Sequence, residues 1–142
     1  MTEPTEGTDG AAGTDGLREM AGESVFVCSP DGPPLDGERA ALDLIGEAGY
    51  LGAAWVAVPA ERCGPDFFQL RTRVAGDVVQ KFVNYRMKLA ILGDIEARAA
   101  ASTALRDFVR ESNRGRQLWF LPDADALHAR LVESSRDTTR RA

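Results

Sequence analysis

Leu89-Ala90-Ile91-Leu92-Gly93-Asp94 is the stretch on which the fold turns. Four apolar residues follow one another without polar alternation and stop at Gly-Asp. The run is too short for a buried helix and fits a strand covered on both faces. Three more runs have the same character. Val25-Phe26-Val27-Cys28 ends at Ser29-Pro30-Asp31-Gly32-Pro33-Pro34. Ala54-Trp55-Val56-Ala57-Val58 ends at Pro59, and Leu118-Trp119-Phe120-Leu121 ends at Pro122.

Helical spacing fills the gaps between these runs. Residues 38–48 carry Ala41, Leu42, Leu44 and Ile45. Residues 72–85 carry Val74, Val78 and Phe82 on one stripe, with Ala75, Val79 and Val83 beside it. Residues 102–113 carry Leu105, Phe108 and Val109, and residues 123–132 carry Ala124, Leu127 and Leu131. Asp123 and Ser102 stand at N-cap positions, and Gly115 is placed for a left-handed helix exit. Strands alternating with such helices predict a single small α/β domain. Its sheet is largely parallel or mixed, with four to five strands and about four helices.

The chain has 142 residues, enough for one domain and too few for two comfortable cores. Its net charge of -5 is concentrated in residues 1–24, which hold six acids and one base. The other 16 acids and 16 bases balance. Residues 1–22 have almost no large apolar side chains before Leu17 and read as a disordered acidic tail. The α/β domain is expected over residues 23–133, with a frayed end over 134–142. A neutral body with an acidic arm lacks the phosphate-neutralising surface that nucleic-acid binding needs. No apolar run is long enough to cross a bilayer. Cys28 and Cys63 are far apart, and no secretory h-region precedes them. A reducing cytoplasm with two free thiols is the simpler expectation. Fifteen of the seventeen bases are Arg and alanine is abundant, a bias that fits a GC-rich bacterial gene.

The usual catalytic kits are missing. His128 is the single histidine and lies on the last helix as a flank or surface residue. No His, Cys or carboxylate set has metal-ligand spacing, so neither a metal nor another cofactor is expected. No nucleophile elbow, P-loop or dinucleotide fingerprint occurs. Cys63 has no identifiable activating base and reads as a passive thiol.

With the stripe of the 72–85 helix turned inward, its other face shows Arg73, Asp77, Gln80, Lys81 and Asn84. That face is either solvated or a surface for a partner or ligand. Gly76 sits mid-helix at a cost of about 1 kcal/mol, which suggests close packing there. Residues 62–88 hold six bases against two acids and suit an anionic ligand, an acidic partner or the tail itself. Asp94 would lie beyond the carboxyl end of its strand, where ligands collect in parallel sheets. Ser102 at a helix start is an N-cap or an anion site. Arg106, Arg110 and Arg114 recur every four residues beside Asp107 and Glu111, a pattern of a solvated charged face.

The run from Asp66-Phe67-Phe68-Gln69-Leu70-Arg71-Thr72 through Ala75-Gly76, Gln80-Lys81-Phe82, Asn84-Tyr85-Arg86 and Lys88-Leu89-Ala90-Ile91 to Gly93-Asp94 resembles an uncharacterised bacterial family, DUF4180. Leu105-Arg106-Asp107-Phe108 and Glu111-Ser112-Asn113 with Gly115 look like that family too. The resemblance implies a small α/β domain and brings no known activity. Where that family often carries a Thr-Gly pair, this chain has Thr72-Arg73. The hairpin strand that the family places first has no matching apolar run in the acidic tail. A looser similarity is to the anti-anti-sigma-factor (STAS) fold, in the order Ile91-Leu92-Gly93-Asp94, Ser102, Leu105, Gly115, Leu118. By that analogy Ser102 is a phospho-acceptor.

These readings lead to a non-enzymatic regulatory or protein-interaction module, binding through Arg73, Gln80 and Asn84 and the Gly93-Asp94 edge. The alternative is a small biosynthetic enzyme with Asp77, Asp94 or Tyr85 as acid/base groups and Arg86 or Arg106 holding an anionic metabolite. A third reading is a phosphometabolite or nucleotide module at Ser102. Trp55, Phe67, Phe68 and Trp119 form either core or a homodimer face.

Overall fold

The computed structural model describes residues 15–141, with side chains through residue 136. Five strands form one sheet: β1 (Gly16–Met20), β2 (Glu23–Val27), β3 (Trp55–Pro59), β4 (Lys88–Leu92) and β5 (Leu118–Leu121). Their spatial order is their chain order. β1 and β2 are antiparallel, while β2, β3, β4 and β5 are parallel. The helices are α1 (Glu38–Tyr50), α2 (Val74–Asn84), α3 (Glu96–Ala100), α4 (Thr103–Arg114) and α5 (Ala124–Arg141). The mixed five-stranded α/β class expected from the sequence is therefore present. β4 lies inside the sheet between β3 and β5.

Strand side chains alternate between two cores. Phe26, Val56, Val58, Leu89, Ile91, Leu118 and Phe120 meet residues of α1, α2 and α4. Val25, Trp55, Ala57, Ala90 and Trp119 meet Leu127 and Leu131 of α5. All three crossovers thus cover one face, and α5 covers the other. Trp55 and Trp119 stack with centroids 4.5 Å apart in that second core. Phe67 and Phe68 are buried in the first core. The aromatic load is core, which removes the observation behind the homodimer expectation.

Two expectations are corrected. The acidic tail does not run to residue 22, because Gly16–Met20 is a strand. Residues 1–14 lie outside the described residues. Ala21 (φ 53°) and Gly22 (φ 83°) form the two-residue loop, both with positive φ, the pattern of a primed hairpin turn. Met20 anchors β1 in the core, while Leu17, Arg18 and Glu19 face solvent, so no apolar run marks the strand. α5 runs through the stretch expected to fray, as far as Arg141. Second, Gly115 has φ -92° and is extended rather than left-handed. The left-handed exits are elsewhere. Gly52 (φ 82°) ends α1 and Arg86 (φ 57°) ends α2. After α2, Met87 N–H bonds to Phe82 O and Arg86 N–H to Val83 O, the paired bonds of a Schellman motif. Arg73, in place of the family's glycine, also takes the left-handed region, at φ 69°.

β5 is an edge strand, and its free side is blunted. Asn113 Nδ2 donates to Phe120 O at 3.2 Å, and Phe120 N–H donates to Asn113 Oδ1 at 2.7 Å. One side-chain amide thus imitates a strand neighbour at an edge that would otherwise template aggregation.

Candidate functional site

At the carboxyl ends of β4 and β5 an open groove of about 460 Å³ is lined by Gly93, Asp94, Ile95, Glu96, Val109, Phe120, Leu121 and Pro122. A strand order that never reverses has no switch-point crevice. The groove arises because the chain leaves β4 through Gly93 and turns directly into the short α3. Gly93 has φ 147°, and a Cβ there would come within 2.9 Å of Ala60 Cβ. Asp94 Oδ1 accepts from Glu96 N–H at 3.0 Å and fixes the turn. The floor is apolar, and the ionisable lining residues are Asp94 and Glu96 at its open rim.

The other expected site residues are scattered. Ser102 caps α4, its Oγ accepting from Leu105 N–H at 3.1 Å. It also lines a separate groove of about 430 Å³ with Phe68, Gln69, Leu70 and Arg71. Arg106 is exposed and donates to Thr103 Oγ1. On α2, Gln80 Nε2 donates to Asn84 Oδ1 at 2.9 Å, and Asp77 and Asn84 are exposed. Lys81 pairs with Glu38 at 3.8 Å. Tyr85 and Arg86 stand just before β4, at its amino end, whereas Asp94 follows its carboxyl end. A five-residue strand spans roughly 17 Å, so Asp94, Tyr85 and Arg86 do not share a site. Gly76 does not mark a close approach either: a Cβ there would meet nothing within 4 Å.

The sequence does not single out Arg62 and its neighbours. Arg62 is 4% exposed. Its Nε donates to Pro33 O (2.9 Å), and its Nη1 donates to Ser29 O (3.0 Å) and Asp15 Oδ1 (3.1 Å). Asp15 Oδ1 also accepts from Ser29 N–H at 2.7 Å. The guanidinium therefore ties the loop after β2 to the turn after β3, closing this end of the sheet with the chain itself. Cys28 and Cys63 are buried free thiols beside it. Burial first, then the Asp15 charge, pushes Cys28 up to about 12, with Arg62 opposing. Burial likewise pushes Cys63 up to about 12 against Arg98 and Arg62. Thiols held protonated in this way are unsuited to nucleophilic attack, as the passive reading of Cys63 expects.

Among the described residues no group of three or more His, Cys, Asp or Glu is arranged to hold a metal ion. Among them, too, no helix is long and apolar enough to cross a membrane. The family given as Domain of unknown function (DUF4180) matches residues 20–131, and the chain belongs to that family. No curated protein and no solved structure matches it, so the STAS likeness gains no support from known folds.

Proposed function

We propose that this member of the DUF4180 family acts by binding, as a regulatory protein-interaction module whose recognition groove is the one beyond β4 and β5. The observation that carries this reading is the groove's composition. Ile95, Val109, Phe120 and Leu121 give it an apolar floor, and Asp94 and Glu96 supply its ionisable groups. No nucleophile or cationic electrophile lines it beside the two acids. An apolar floor under an acidic rim fits a partner segment with an apolar anchor next to Lys or Arg. The enzyme alternative has less support, because Asp77 and Tyr85 lie outside the groove that holds Asp94. Two buried free thiols fit a cytoplasmic setting.

A displayed random-peptide library tests the proposal. The expected result is enrichment of sequences with an apolar residue flanked by Lys or Arg, bound at least tenfold more weakly by Asp94→Asn/Glu96→Gln. An Arg73→Ala/Asn84→Ala variant on α2 should bind them like the parent. If no such sequences are enriched, or if the groove variant binds them unchanged, the reading fails.

A further inference from the structure

The groove of about 430 Å³ that Ser102 lines is formed by Phe68, Leu70 and Arg71 of one segment and by Ala101 and Ala104 of another. Among the described residues no carboxylate lines it. Arg98 of α3 stands beside it, its guanidinium over the Phe68 ring at 4.5 Å from the centroid. Stacking on the ring keeps that cation at the groove wall. Neither Arg71 nor Arg98 forms an ion pair among the described residues. This groove shares no residue with the one beyond β4 and β5 and carries the opposite charge, so an occupant here goes beyond the proposed function.

Two observations name the occupant. The first is where residues 1–14 join the fold. Asp15 is held by Arg62 Nη1 at 3.1 Å and by Ser29 N–H at 2.7 Å, so the segment ahead of it leads off from Arg62. Phe68 lies six residues past Arg62, and Ala60–Arg62 and Asp66–Phe68 are both 3-10 turns. The groove wall is therefore within the roughly 20 Å that six extended residues span. Asp9 stands six residues before Asp15 and Glu6 stands nine before it, which gives them reaches of about 20 and 30 Å. The second observation is charge. Residues 1–14 contain Glu3, Glu6 and Asp9 and no Lys or Arg. At this same end of the sheet Asp94 and Glu96 repel such a segment, while Arg71 and Arg98 attract it.

We propose that residues 1–14 of the same chain occupy this groove, with Asp9 and Glu6 paired to Arg98 and Arg71. Exposed ion pairs are weak one at a time and are screened by salt. The tether at Asp15 is what makes them count. It presents the acids to the arginines at an effective concentration of about millimolar, so a contact with a millimolar Kd is already half made. A separate acidic peptide at micromolar concentration would leave the same groove empty. The segment thus covers a cationic surface that acidic proteins and metabolites would otherwise meet.

The test uses the full chain with a nitroxide attached at Thr5→Cys; Cys28 and Cys63 are buried and stay unlabelled. Broadening of backbone amides in a nitrogen-15 correlation spectrum then reports where that position dwells. The strongest broadening is expected at Gln69, Leu70, Arg71, Ala101 and Ser102, above that at Ile95 and Val109 of the other groove. It should fall at least about twofold in about 1 M sodium chloride, where the screening length is about 3 Å. The same loss is expected in Arg71→Glu/Arg98→Glu, at exposed positions, and in Glu3→Gln/Glu6→Gln/Asp9→Asn. Joining Arg71→Glu/Arg98→Glu to Glu6→Arg/Asp9→Arg should restore the broadening, a rescue that a structural role of either arginine would not give. Asp94→Asn/Glu96→Gln should leave it unchanged. A labelled chain mixed with an unlabelled nitrogen-15 chain should show none of it. Broadening spread evenly or centred elsewhere, or indifference to these charge changes, would overturn the proposal. Equal broadening in the mixed sample would overturn it too and make a second copy the occupant.

Discussion

Replacing Gly32 by alanine should be among the most damaging single-methyl additions to this protein. A Cβ built on Gly32 lies 2.5 Å from Arg62 Nη1 and closer still to Cζ and Nη2. Gly32 is not among the residues with positive φ, so alanine has no backbone objection there and the effect is steric. A guanidinium is the end of a flexible side chain and on an open surface would swing aside at little cost. Here it is 4% exposed and holds Pro33 O, Ser29 O and Asp15 Oδ1. Hydrogen bonds to charged groups contribute roughly 1.5–3 kcal/mol each, and breaking a buried pair costs about 3–5 kcal/mol. Losing two of the three contacts therefore destabilises by about 3–5 kcal/mol, a large part of the roughly 5–15 kcal/mol typical of a domain. Gly76→Ala is the same chemical change with the opposite sign. It lies mid-helix with nothing within 4 Å and should stabilise by about 1 kcal/mol. Urea unfolding followed by tryptophan fluorescence measures both, with an unchanged denaturant slope as the check on two-state behaviour. A Gly32→Ala protein within about 1 kcal/mol of the parent would refute the view of Arg62 as a fixed tie.

Asn113→Ala removes both bonds to the free side of Phe120; a loss of about 2 kcal/mol and faster aggregation by light scattering are expected, and an unchanged protein would show that the edge needs no cover. Arg86→Gly relieves a non-glycine residue at φ 57° and should raise stability by about 1 kcal/mol in the same urea assay; a fall instead would mean that the arginine side chain is itself holding structure. The two thiols set an alkaline limit. Each loses its proton near 9.0 as an ordinary thiol and near 12 in the fold, so above pH 9 the unfolded chain binds fewer protons and stability falls as pH rises towards 12. The slope should exceed that of Cys28→Ala/Cys63→Ala by up to about 1.4 kcal/mol per pH unit for each thiol, and equal slopes would contradict the burial argument.

Much of the scaffold was legible because its strands lie under helices on both faces. The run 118–121 is β5 residue for residue, and the other three runs sit within two residues of β2, β3 and β4. What escaped was whatever depended on distant partners. β1 shows solvent three of its five side chains, and its pairing rests on Ala21-Gly22 rather than on a hydrophobic run. Arg62 reads as one base in a basic stretch, because its partners lie 29, 33 and 47 residues away. Gly93-Asp94 is expected at a strand's carboxyl end, and the groove is there. The α2 candidates group with it only because helical periodicity says which face is polar and not which end of the sheet that face reaches.

A sheet whose spatial order repeats its order of synthesis has a further consequence. Each strand after the first finds its neighbour already translated, so the layer extends by accretion from one border to the other and no strand waits for a later partner. α5 comes last and closes the remaining face. Until that segment clears the ribosome tunnel, the indoles of Trp55 and Trp119 remain wet, and the nascent domain carries an unroofed hydrophobic floor of the kind that holding chaperones engage.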